Sequence, residues 1–277
     1  DGYMRRLQRI FRKVKKSDKD HIKVSFFDLK DIEELVNGPL EGKVFEHHRK
    51  FYEGFNKLTR KRLTLPNVNA TLRPYQIEGV KWIKYLYDNN MGGCLADDMG
   101  LGKTLQTISV LSLIYPQESK PTLLVMPRSL LFNWQNELAR FAPQLSVYTY
   151  YGNTRDIKEA MQHQLILTTY AIVRNDIKTF SAQEFHYVIL DESQNIKNLT
   201  AQSTQAVFML KAPHRLALSG TPIENNLGEL YALFRFLNPT MFGNLDNFNH
   251  DYANPIQKNG DKEAMQCLQH KIFPFML

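Results

Sequence analysis

One stretch limits the fold more than any other: Leu95-Ala96-Asp97-Asp98-Met99-Gly100-Leu101-Gly102-Lys103-Thr104 reads as a strand passing through a glycine turn into a helix. Met91 to Leu95 is apolar and glycine-rich, which suits a buried strand end. Leu105, Ile108, Leu111 and Leu113-Ile114 then recur at helical spacing. Gly100 and Gly102 let backbone N–H groups approach an anion closely. A helix opening at Lys103 adds unpaired N–H groups and a positive dipole end. Asp97 to Thr104 thus reads as a phosphate cradle for a nucleoside triphosphate. Lys103 would reach the β- and γ-phosphates, and the Thr104 hydroxyl would ligate Mg²⁺. The full phosphate-loop pattern has glycine where this chain has Asp97. On this stretch alone, an ordinary strand–turn–helix corner stays open.

The surroundings favour the cradle. Pro121–Pro127 is an apolar run of the kind buried on both faces of a parallel sheet. Ser129 is placed to cap a helix containing Leu130, Leu131, Trp134, Leu138 and Phe141. Further strands fit at 147–151, 165–168, 187–190 and 216–219, and helices at 154–162, 201–210 and 227–237. This alternation predicts an α/β fold with a doubly wound, mostly parallel sheet, whose ligands bind outside the carboxyl ends of the strands. The strand Tyr187–Leu190 ends in Asp191-Glu192, 88 residues after Lys103. One carboxylate would hold Mg²⁺ and the next would orient and deprotonate the attacking water.

The ends of the chain read differently. Residues 1–66 look helical and basic, with Tyr3, Leu7, Ile10, Phe11 and Val14 as an apolar stripe among arginines and lysines. Further helices fit at 29–36 and 44–59. This region is expected either to pack as a solvated appendage or to touch nucleic acid. Residues 241–277, with Asn254-Pro255 and Asn259-Gly260, read as a loop-rich, partly helical protrusion after a central lobe over 67–240. The net charge of +7 permits a polyanionic partner without requiring one. No run approaches 18 apolar residues, so no membrane-spanning helix is expected. Cys94 and Cys267 show no metal or disulfide spacing, which fits a reducing compartment. The start at Asp1, without a leader pattern, looks like the edge of a cut-out fragment.

Five motifs in order carry a specific resemblance over residues 71–277. Asp97–Thr104, Asp191-Glu192-Ser193-Gln194 and Leu218–Asn226 are similar to helicase motifs of the Swi/Snf family of DNA-translocating ATPases. Leu72–Trp82 resembles that family's adenine-recognising segment, and Met126–Trp134 its first DNA-contacting motif. The resemblance implies a RecA-like lobe that uses ATP and Mg²⁺. Gln76 would bond the adenine edge, with Asp97, Asp98, Met99, Gly100, Leu101, Gly102, Lys103 and Thr104 around the phosphates. Thr104 and Asp191 would serve the metal, with Lys103, Asp191 and Glu192 catalytic. Gln194, Ser219, Gly220 and Thr221 would couple nucleotide state to DNA grip. Arg128, Ser129, Thr169 and Tyr170 would touch the phosphate backbone of double-stranded DNA, on which a protein substrate could sit. The resemblance also implies a second RecA-like lobe of the same chain, supplying arginine fingers. Gln194 stands where the family most often has His, and glutamine cannot carry charge. A DEAD-box-like RNA helicase lobe would instead show Asp-Glu-Ala-Asp and Ser-Ala-Thr. A non-catalytic nucleotide-binding module would show erosion of Lys103, Thr104, Asp191 or Glu192, all of which are present.

Overall fold

The computed structural model describes residues 2–18, 21–97, 102–220 and 226–277. These pack as two compact units. One combines residues 1–57 with 238–274, and the other combines 58–237 with 275–277. The first and last stretches, read from sequence as separate segments, therefore share a unit for most of their length.

In the first unit, α1 (Gly2–Lys13) is followed by an antiparallel pair, β1 (Lys15–Asp18) and β2 (His21–Lys23), then α2 (Leu29–Leu35) and α3 (Lys43–Asn56). The pair corrects the all-helical expectation. Lys15 lies opposite Lys23 and Lys16 opposite Ile22, a strand pairing that the helical periodicity of the flanking segments does not signal. The apolar stripe of α1 is also narrower than expected. Ile10 is buried, whereas Tyr3 and Phe11 are both exposed. Several of the basic residues have acidic partners inside the unit: Arg12 pairs with Asp251 at 2.6 Å, and Arg6 donates to Glu34. Lys13 and Lys271 both donate to the buried carboxylate of Asp28, at 2.7 and 2.8 Å. Burial and the neighbouring Lys271 charge push the Lys13 ammonium down to about 8.

The second unit holds the sheet. Its helices are α4 (Pro74–Asp88), α5 (Lys103–Ile114), α6 (Leu131–Phe141), α7 (Ile157–Ala160), α8 (Tyr170–Asn175), α9 (Ile177–Ser181), α10 (Gln202–Phe208) and α11 (Leu227–Leu237). Its strands are β3 (Gly93–Leu95), β4 (Thr122–Met126), β5 (Val147–Thr149), β6 (Leu165–Thr169), β7 (Tyr187–Leu190) and β8 (His214–Leu218). They lie in the order β3-β8-β7-β4-β6-β5, every pair parallel. Every residue of β3, β4, β6 and β7 is buried, which explains their unbroken apolar runs. Residues 275–277 cover the free edge of β3. Leu277 N–H donates to Cys94 O at 3.0 Å, and Ala96 N–H donates to Leu277 O at 2.6 Å. That cover removes an unpaired strand edge from solvent.

The C-terminal part of the first unit is more helical than expected. α12 (Leu245–Phe248) runs through a π-helical turn (Asn249–Ala253) into α13 (Asn254–Asn259), and α14 (Lys262–Ile272) follows. The dipeptides read as breaks are helix-end devices. Pro255 sits in the first turn of α13, and Gly260 closes it at φ 59°. Asp261 then caps α14, accepting from Ala264 N–H at 3.0 Å. Among the described residues, no helix is long and apolar enough to cross a membrane.

Candidate nucleotide site

The carboxyl ends of adjacent strands bring the expected residues together. β3 leads towards the glycine turn, β8 ends beside Ser219, and β7 ends in Asp191. Two backbone bonds extend the ladder past the strands: Ser219 N–H to Leu95 O at 3.0 Å and Asp191 N–H to Val125 O at 2.8 Å. Asp98, Met99, Gly100, Leu101 and Thr221 lie outside the described residues.

Gly102 opens α5 at φ 77°. That left-handed backbone is one reason for glycine here. A second is contact, since a Cβ at Gly102 would come within 2.4 Å of Gln76 Nε2. Gln76 is buried, and its Oε1 accepts the Arg73 N–H at 2.9 Å, closing the first turn of α4 behind Pro74. The segment expected to meet adenine therefore abuts the phosphate turn. Lys103 Nζ donates to Asp97 O at 2.8 Å, folding the lysine onto the turn that it follows.

Asp191 is held from both sides. Its Oδ2 accepts the Trp134 indole N–H at 2.8 Å, and its Oδ1 accepts the Glu192 N–H at 2.8 Å. Burial pushes its carboxyl up, and these two donors offset part of that rise. Glu192 follows in the left-handed region, φ 49° and ψ 55°. For a non-glycine residue such a conformation costs of order 1–3 kcal/mol and is typical of functional sites. Gln194 Nε2 donates to Glu192 Oε2, and Ser219 Oγ donates to Gln194 Oε1 at 3.4 Å. An uncharged amide thus bridges the two motifs, donating on one side and accepting on the other. Gly220 follows Ser219 at half-buried backbone. Cys94 is inert here, because burial pushes its thiol up to about 12.

The residues expected at DNA divide. Arg128 and Ser129 are exposed on a 3₁₀ turn (Arg128–Leu130) that precedes α6, with the Arg128 guanidinium 5.8 Å from the Tyr151 ring centroid. Ser129 does not cap α6, which begins at Leu131 without a side-chain cap. Thr169 and Tyr170 are buried. Thr169 caps α8 by accepting from Ile172 N–H at 3.2 Å, and the Tyr170 hydroxyl donates to Asp191 O at 2.7 Å. Their side chains support the site from within rather than facing a ligand. Sequence reading missed Trp134 and Glu137. Trp134 looked like one more core residue of α6. A carboxylate three residues on, beside an apolar stripe, was the available signal.

The family described as the SNF2-related domain matches residues 75–277. An uncharacterized ATP-dependent helicase of Mycoplasma genitalium is 42% identical over 74% of this chain and 20% of its own length. Helicase ssl-1 of Caenorhabditis elegans is 40% identical over 76% of this chain and 9% of its own length. Among solved structures, the Sulfolobus solfataricus SWI2/SNF2 ATPase core in complex with dsDNA is 42% identical with a TM-score of 0.74. That match covers 78% of this chain and 46% of the Sulfolobus chain. This chain therefore spans a fifth or less of those two relatives and under half of that core.

Proposed function

The chain belongs to the SNF2-related family, and from that membership we propose that it is the ATP-binding lobe of an ATP-dependent double-stranded DNA translocase. The observation that carries the reading is Asp191, whose two oxygens are oriented by Trp134 and Glu192 at a strand end next to the turn bearing Lys103. Phosphoryl transfer depends on positioning and charge stabilisation, and a pre-oriented carboxylate beside a phosphate cradle supplies both.

In this reading Lys103 leaves Asp97 O for the β- and γ-phosphates, and Gln76 turns its amide to the adenine edge. Thr104 and Asp191 would hold Mg²⁺, which would supply neutralisation of phosphate charge. The residues fit a hard cation, since both offer oxygen and Asp191 is already oriented. Glu192 takes a proton from the water that attacks the γ-phosphorus, while the bond to the bridging oxygen breaks and ADP leaves. Gln194 and Ser219 carry the state of Glu192 towards β8. The partner is duplex DNA, held by its phosphates without sequence readout, and a protein bound to that DNA is the object moved.

The test is thermal. Mg²⁺–ADP at 100 times its dissociation constant adds about 2.7 kcal/mol to stability. The melting temperature of the 277-residue chain should rise accordingly, and not in Lys103→Ala. Equal shifts in both proteins would overturn the assignment.

A further inference from the structure

α6 carries a carboxylate that the roles above leave unused. Trp134 and Glu137, three residues apart, share one face of that helix. The indole N–H of Trp134 reaches Asp191, so this face is turned towards the metal ligand proposed above. Glu137 stands one turn further along. Burial raises its carboxyl above the usual range, Arg140 opposes that, the Asp191 charge adds to it, and a hydrogen bond with the Thr104 side chain lowers it. Glu137 therefore lies within electrostatic reach of Asp191 and bonding reach of Thr104. Its Oε2 is buried and has no hydrogen-bond partner. A buried oxygen without a donor is rare enough to require a cause, and an absent water or ion is one. Mg²⁺ bound beside a nucleotide keeps several of its waters, and their O–H groups need acceptors.

We propose that Glu137 accepts a hydrogen bond from a water carried by the nucleotide's Mg²⁺ and so fixes the hydrated ion against Thr104 and Asp191. This rests on the ATP-site reading and adds a positioning residue to it. Outer partners of a metal site are worth about 10–100-fold in metal affinity.

The experiment titrates Mg²⁺ into the 277-residue chain with a fluorescent ADP analogue, and separately follows Mn²⁺ binding with ADP by electron paramagnetic resonance. In Glu137→Gln, ADP affinity in chelator should match the parent chain. The Mg²⁺ and Mn²⁺ concentrations for half-saturation should rise about 10–100-fold. Glu137→Asp keeps the charge one methylene short; it should fall between the two, and it stands in if the Gln variant does not fold. Unchanged metal dependence in both variants, or equal weakening with and without metal, would overturn the proposal. No ADP binding by the parent chain would instead sink the ATP-site reading, and this proposal with it.

Discussion

Arg128 stands where β4 hands the chain to α6, exposed, with its guanidinium over Tyr151. Such a cation can reach a phosphate without losing a buried partner, which distinguishes it from Thr169 and Tyr170. If it neutralises one phosphate, Arg128→Ala should lower duplex affinity equally for a chosen sequence and its scramble. The slope of log affinity against log salt should fall by about one. Thr169→Ala tests the contrast. It removes the cap of α8, costing about 1 kcal/mol of stability, and should leave the salt slope unchanged. Titrations at several salt concentrations decide both. A sequence preference in the parent chain, or a slope lost on Thr169→Ala, would contradict this division of roles.

At the scale of elements, the sheet's two ends behave differently. Opposite the nucleotide site, the starts of β7 and β8 place His186, Tyr187 and His214 beside Tyr87 of α4. The His214 ring is 4.1 Å from that of Tyr87 and 4.8 Å from that of His186, and its Nδ1 is buried without a partner. Burial, then the neighbouring His186, hold the His214 pKa down to about 4, against weaker opposing pulls from Glu118 and Asp88. His186 is also lowered by burial, although Glu118 lies 3.5 Å from its Nδ1 and Lys120 adds a like charge. The folded pKa lies below the unfolded value of about 6.5, so unfolding takes up protons between those limits. Stability is full above about pH 6.5 and falls as pH drops towards 4. A loss of about 1–3 kcal/mol is expected. Melting temperatures at pH 7.5 and 5 should differ by several degrees, and His214→Phe should flatten that dependence. An equal drop in the variant would locate the effect elsewhere. Neither histidine was marked by sequence, whereas β7, α5 and α11 were read end to end. Those elements have patterns set by their own neighbours in the chain: an apolar run closed by acids, a glycine opening, a helical repeat. Trp134 and Glu137 depend on partners far along the chain, and the β1–β2 pair depends on a strand pairing that helical periodicity does not signal. The buried hydroxyl of Tyr170 was misread because a motif match says where a residue sits in the chain and not which way it faces.

For the molecule as a whole, the chain matches under half of the Sulfolobus ATPase core, and the function proposed above places the arginine fingers in a second lobe. This has a kinetic consequence. Glu192 can take the proton from water and Lys103 can hold the γ-phosphate. Charge spreading over the equatorial oxygens in the transition state still needs a further cation. Arginine fingers supply about 10³–10⁵ in rate, equivalent to about 4–7 kcal/mol of barrier. Arg128 is assigned to DNA, and Arg215 is committed to the carbonyls of Phe236 and Leu210 at 2.9 Å each. Residues 1–277 should therefore bind Mg²⁺–ATP yet release phosphate near background, with or without duplex DNA. Joining the second lobe of a family member should restore DNA-stimulated turnover. Glu192→Gln in that longer protein should abolish turnover while ATP stays bound, because the amide cannot accept the proton from water. Steady-state phosphate release by the two proteins, each with and without a duplex, makes the comparison. Brisk DNA-stimulated hydrolysis by the 277 residues alone would mean that a cation within this lobe already serves the transition state, and that the second lobe acts only on DNA.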